Sequence, residues 1–123
     1  MVTHNSTFAQ QVGKYVDPTL ELNRICMTAD EFKNAIIEAK KGECVIFDEA
    51  VTGMAASESI TRIGRLLKSM MMQMRQKNLF VIVVLPSFFM LDKYVALFRA
   101  RGLYHIYEKL ASYRLEFSYR QHL

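Results

Sequence analysis

The sequence predicts an α/β fold, a mostly parallel sheet with helices on both faces. Three observations predict it. Strand-like and helix-like stretches alternate along the chain in the order αβαβαβαββ, the pattern that crossover helices impose on a parallel sheet. Residues 44–47 and 79–85 are continuous apolar runs, as expected of strands covered on both sides. The acid pair Asp48-Glu49 and the polar Ser87 fall at the carboxyl ends of those runs, where the sites of open α/β sheets sit.

The 123 residues form one domain, 1–123, with 51% apolar and 23% charged residues. That is a globular composition with enough apolar mass for a sizeable core. The run from Leu79 to Leu91 is broken by Pro86-Ser87 and is too short to span a bilayer. No basic-then-apolar leader pattern precedes it, so a soluble, cytoplasmic protein is expected. Two cysteines, Cys26 and Cys44, each inside a predicted strand, fit reduced core thiols rather than a disulfide framework. His4, His105 and His122 show no metal-ligand spacing to either cysteine. The net charge of +4 is uneven. Residues 1–61 carry five Lys/Arg against nine Asp/Glu, and residues 62–123 carry eleven against three. The basic half fits either a nucleic-acid or acidic-partner surface or a merely solvated face.

Each element has its own signal. Ser6 is a good N-cap for a first helix with Phe8, Ala9 and Val12 on its apolar face, ended by Gly13 and Asp17-Pro18. Arg24 to Met27 reads as a short strand. Thr28-Ala29-Asp30-Glu31 is a capping box, followed by Phe32, Ala35, Ile36 and Ala39 at helical spacing. Lys40-Lys41 suit the helix C-terminus and Gly42 its cap. The strand 43–48 follows, then a loop over 50–56. Ser57 caps a long helix over 58–77, with Ile60, Ile63, Leu67, Met70, Met71 and Met74 on one stripe. Arg62, Arg65, Lys68 and Arg75 lie on the other. The methionines read as core filler. After the strand Leu79–Leu85, a helix over Met90–Arg99 is broken by Gly102. Leu103–Tyr107 and the alternating Tyr113–Arg120 are further strands, the last a half-buried antiparallel edge.

Three stretches together carry a resemblance: STFAQQVGKYVDP opening a helix, VIFDEA, and MRQKNLFVIVVLPSFF. From Ser6 to about Tyr107 the chain resembles P-loop ATPases of the FtsK/HerA-like and zonular-occludens-toxin-like group, in the class with a catalytic glutamate and an additional strand. The resemblance implies a three-layer P-loop fold, ATP and Mg²⁺ as cofactors, and ATP hydrolysis linked to DNA translocation or packaging. It implies that VIFDEA is the Walker B strand. Asp48 would then serve Mg²⁺ with Ser6, through water, and Glu49 would orient the attacking water. Ser6 and Thr7 would take the place of the last Walker A residues at the phosphates. Ser87 would be the polar sensor, and Arg75 would neutralise phosphate charge in its own site or a neighbour's. Each also has a bland alternative: a capping or solvated acid pair, a turn residue after proline, and a solvated Arg at a helix end.

The chain departs from that pattern. Asn5 stands where the Walker A Lys belongs and His4 where its second Gly belongs, and the preceding strand is absent from the sequence as given. Ser87 replaces the Gln or Asn of many relatives. Without the Lys and the glycine loop the β- and γ-phosphates lose their main charge partner and amide cradle. Weak ATP binding and little turnover are therefore expected, for a piece of a longer ATPase or a degenerate one. The missing strand would lie beside Leu79–Leu85, so either Leu103–Tyr107 shifts to pair there or another chain, such as a second copy, fills the place. The alternative function is a non-catalytic module binding nucleic acid or protein through the basic C-terminal half. There the aromatic and basic residues of 113–120 would stack on bases or, on the bland view, fill a core.

Overall fold

The structure, a computed structural model, describes residues 4–48, 56–84, 102–109 and 112–119. Among the described residues it is an α/β arrangement of three α-helices and a three-stranded parallel sheet, with a separate two-stranded antiparallel sheet. In chain order the elements are α1 (His4–Val16), β1 (Ile25–Cys26), α2 (Ala29–Glu38), β2 (Cys44–Asp48), α3 (Ala56–Gln76), β3 (Phe80–Val84), β4 (Gly102–Lys109) and β5 (Ser112–Tyr119). The parallel strands run in the order β1-β2-β3, with Ile25 opposite Ile46 and Cys44 opposite Phe80.

All five residues of β2 are buried, and their side chains alternate between two cores. Cys44 and Ile46 join Ala9 of α1, Leu20 and Val84. Val45 and Phe47 join Phe32, Ala35 and Ile36 of α2 and Ile63, Leu66, Leu67 and Met70 of α3. Phe32 meets Phe47 edge-on, with ring centres 5.3 Å apart. A continuous apolar strand is thus what a position between two apolar layers demands. Of the methionine stripe, Met70 is buried, Met74 packs on the same cluster and Met71 is half-buried; Met72, off the stripe, is exposed. Ile60 lies outside the described side chains.

Several sequence expectations need correction. Helix α1 begins at His4, so Ser6 lies within its first turn and is not its cap. It runs through Gly13, whose missing side chain has another use. A Cβ there would sit 2.8 Å from Leu20 Cδ2 and 2.9 Å from Ile46 Cδ1, so the glycine lets α1 lie close on the sheet. Ser57 lies inside α3. Gly42 does not cap α2. That helix ends at Ala39 in extended conformation, and Gly42 takes φ +83° in the turn closed by Glu43 N–H to Lys40 C=O. The carbonyls of Ile36 and Ile37 at the end of α2 instead receive Lys77 Nζ, which stands 2.8 Å from Ile36 O. The start of α2 follows the sequence more closely. Thr28 Oγ1 accepts from Glu31 N–H at 3.2 Å, and the Glu31 carboxylate accepts from Met27 N–H at 2.8 Å.

Helix α3 ends in a Schellman motif that the sequence reading passed over. Leu79 N–H reaches Met74 C=O and Asn78 N–H reaches Arg75 C=O, with Asn78 at φ +50°. Strand β4 pairs with β5 through eight antiparallel partner pairs and not with β3. A neighbouring strand in the chain closes that ladder at far lower loop entropy than a parallel crossover would require. Among the described residues no strand lies on the outer side of β3. The helix expected over 90–99 lies outside the described residues, and the alternation expected over 113–120 concerns side chains outside the described ones.

One end of β2 is tied by a buried ionic network. Ile25 opposes Ile46, so Cys44 lies beyond the reach of β1. Its N–H donates to Asp17 Oδ2 at 2.8 Å, and its C=O accepts from Arg24 Nε at 3.1 Å. Arg24 also pairs with Asp17 Oδ2 and with Glu43 Oε2, each at 3.1 Å. Asp17 Oδ1 accepts from the N–H and the hydroxyl of Thr19. Two side chains thus continue the hydrogen bonding of a strand that β1 is too short to match. Burial raises the Asp17 carboxyl. The hydrogen bonds from Thr19 and Cys44, with the Arg24 charge, outweigh it and hold the group below its ordinary 3.8.

A depressed carboxyl contributes stability that is present above its unfolded value and lost as pH falls through its folded value. Asp17→Ala is expected to cost about 3–5 kcal/mol at neutral pH, the range for breaking a buried pair. Asp17→Asn is expected to flatten the stability loss below pH 3.8. Denaturant titrations over a pH series measure both.

Candidate functional site

The alternation along β2 decides where Asp48 points. Cys44 and Ile46 face α1, so Asp48, two residues on, faces it too. Its side chain is 1% exposed. A carboxylate so deeply buried needs hydrogen-bond donors close by. Ser6, itself 2% exposed in the first turn of α1, supplies one: Ser6 Oγ donates to Asp48 Oδ2. The contact joins the carboxyl end of the central strand to the amino end of a helix, the end whose unsatisfied N–H groups and dipole favour anions.

The structure therefore brings together Ser6 and Asp48, 42 residues apart in sequence. Thr7 is exposed, and lines a surface groove beside α1 with Gln11, Lys14 and Asn23. Arg75 is exposed in the last turn of α3. It precedes Phe80, the partner of Cys44 at the opposite end of β2, so it stands at the far end of the strands from Asp48. Glu49 and Ser87 lie outside the described residues.

The donor set fits Mg²⁺. A hydroxyl and a carboxylate are hard oxygen ligands, and Mg²⁺ characteristically takes one or two protein oxygens and completes its shell with water and phosphate. Among the described residues no group of three His, Cys, Asp or Glu side chains gathers to hold a metal by protein ligands alone. Neither cysteine is a candidate ligand or nucleophile. Burial, reinforced by the charge of Glu31, raises the Cys26 thiol to about 11. Burial and Asp17, opposed by Arg24, raise Cys44 to about 11. Both are buried and free.

The sequence reading missed the Asp17–Arg24–Glu43 network. One signal for it was present: Asp17-Pro18-Thr19 is a pattern for an Asx-type turn, and Asp17 Oδ1 does accept from Thr19 N–H at 3.0 Å. The second carboxylate oxygen and Arg24 meet only once the sheet has formed. Among the described residues no helix is long and apolar enough to cross a membrane. Comparison with family models, with curated proteins and with solved structures returns no match.

Ser6→Ala removes a donor from a buried carboxylate and is expected to destabilise the fold by about 1–3 kcal/mol. Ser6→Thr, which keeps the hydroxyl, is expected to recover part of that loss. Chemical denaturation of the two variants checks it.

Proposed function

We propose that this chain is a P-loop-derived ATPase domain that retains the acid, Mg²⁺-binding side of a nucleotide site, in a protein that translocates or packages DNA. The hydrogen bond from Ser6 to Asp48 is the observation that supports this reading. It links a hydroxyl on the first turn of α1 to the acid at the end of the central strand, as expected where both serve one metal-bound phosphate. On this reading β1, β2 and β3 are neighbouring strands of a three-layer P-loop sheet.

When bound with nucleotide, Mg²⁺ neutralises phosphate charge. Asp48 and Ser6 would hold it, directly or through water. Burial of the pair and the hydrogen bond from Ser6 Oγ to Asp48 Oδ2 hold the two side chains together at the end of β2. The first-turn N–H groups of α1 would face the phosphates. Glu49, next in sequence, would orient the attacking water, and Ser87 would contact the γ-phosphate. Arg75, at the other end of the strands, could serve only the nucleotide of a neighbouring copy. Asn5 and His4 stand where a full phosphate loop places Lys and Gly. The positive charge that holds the β- and γ-phosphates is then missing, and affinity and turnover are both low.

Equilibrium binding of a fluorescent ADP or ATP analogue tests the reading. Weak binding that requires Mg²⁺ and disappears in Asp48→Ala is expected, with turnover well below ~1 s⁻¹. Absence of binding, or binding indifferent to Mg²⁺ and to Asp48→Ala, overturns the reading. An ordinary ATPase rate overturns the claim of impairment.

A further inference from the structure

A groove of about 800 Å³ runs between α2 and α3, on the face of the sheet away from α1. Among the described residues its floor is apolar, formed by Ala29 and Leu66, and both walls are cationic. Lys33 stands on the α2 side, and Arg62 and Arg65 stand on the α3 side. Lys33 and Arg65 are exposed, and Leu66 is buried against the core beneath. Of the two acids in the first turn of α2, Glu31 is turned to the Met27 N–H and Asp30 is exposed.

We propose that this groove docks an acidic amphipathic helix of a partner protein. Three features select that occupant. Cations on both walls with an apolar floor match a helix with one apolar stripe flanked by carboxylates, the helix-in-groove mode of recognition. The α3 wall from Thr61 to Ser69 spans eight residues of rise, about 12 Å, which seats roughly two turns of a ligand helix. A nucleic-acid backbone fits less well. It would leave the apolar floor wet, and the Ser69 hydroxyl, which could donate to a phosphate, already donates to Leu66 C=O at 2.7 Å. The groove is separate from the Ser6–Asp48 site, and its occupancy does not depend on the nucleotide reading.

Fluorescence anisotropy with the full chain tests the proposal. The probe is a dye-labelled designed helical peptide with leucines on one face and glutamates flanking them. A twin with every Glu replaced by Lys and a labelled single-stranded oligonucleotide complete the set. The Glu peptide is expected to bind, more weakly at high salt. Affinity is expected to fall tenfold or more in Lys33→Glu/Arg65→Glu. It should be unchanged in Lys68→Glu, an exposed charge on α3 outside the groove. The Lys twin is expected to bind only the charge-reversed variant. Circular dichroism shows whether these surface variants keep the fold. The proposal is overturned if the Glu peptide does not bind, or if Lys68→Glu weakens it as much as the double variant. It is equally overturned if the wild-type chain binds the Lys twin as well, or binds the oligonucleotide alone through Lys33 and Arg65.

Discussion

A buried carboxylate at the end of a central strand is the constraint from which the α1 side of this fold follows. Asp48 is almost wholly removed from water, so a donor must be held against it, and Ser6 on α1 is that donor. The other end of the same strand shows the reverse arrangement. There Asp17, just past α1, accepts from the N–H of Cys44. Helix α1 is thus fastened to β2 at both ends, once by a strand carboxylate and once by its own. Between the two anchors Gly13 removes the side chain that would otherwise hold helix and sheet apart. The distances agree: four strand steps from Cys44 to Asp48 cover about 13 Å, and the helix from Ser6 to Asp17 rises about 16 Å.

The opposite face has its apolar core over β2 and is also tied at the strand starts. The left-handed Asn78 turns the chain out of α3, and Phe80 N–H then finds Glu43 C=O at 3.0 Å. Gly42 N–H meets Lys77 C=O, while the Lys77 ammonium caps α2. The start of β2, the start of β3 and the C-termini of two helices therefore share one cluster of hydrogen bonds. That cluster sets the register that places Cys44 beside Phe80 and Asp48 beside Val84. The groove between α2 and α3 is shaped by the same docking, since Phe32, Ala35 and Ile36 from one helix and Ile63, Leu66 and Met70 from the other meet over β2.

What the sequence made legible was whatever depends on local pattern. The continuous apolar run 44–47 announced a strand buried on both faces, and Thr28 with Glu31 announced the start of α2. Position in the strand was enough to put Asp48 at a carboxyl end. What stayed hidden were contacts between distant segments. Gly13 looks like a helix stop because glycine usually is one, yet its use here is close approach to Ile46. Gly42 looks like a cap, yet a lysine 35 residues further on takes that role. That β4 would shift beside β3 was one of two alternatives, and the resemblance, not the residues, supplied it. Its actual partner is the next strand in the chain. Of the candidate site, the resemblance set Ser6 beside Asp48, and the direct hydrogen bond between them is legible only in the fold. The roles of Glu49 and Ser87 rest on the resemblance alone.

The most direct test of a metal–nucleotide site at Ser6 and Asp48 uses a paramagnetic substitute for Mg²⁺. Amide spectra of the isotope-labelled chain would be recorded with ADP while Mn²⁺ is titrated in at substoichiometric amounts. The account predicts that the resonances of Ser6, Thr7 and Asp48 broaden first, and that they broaden far less without ADP. Broadening centred on any other part of the chain, with those three residues unaffected, would contradict it.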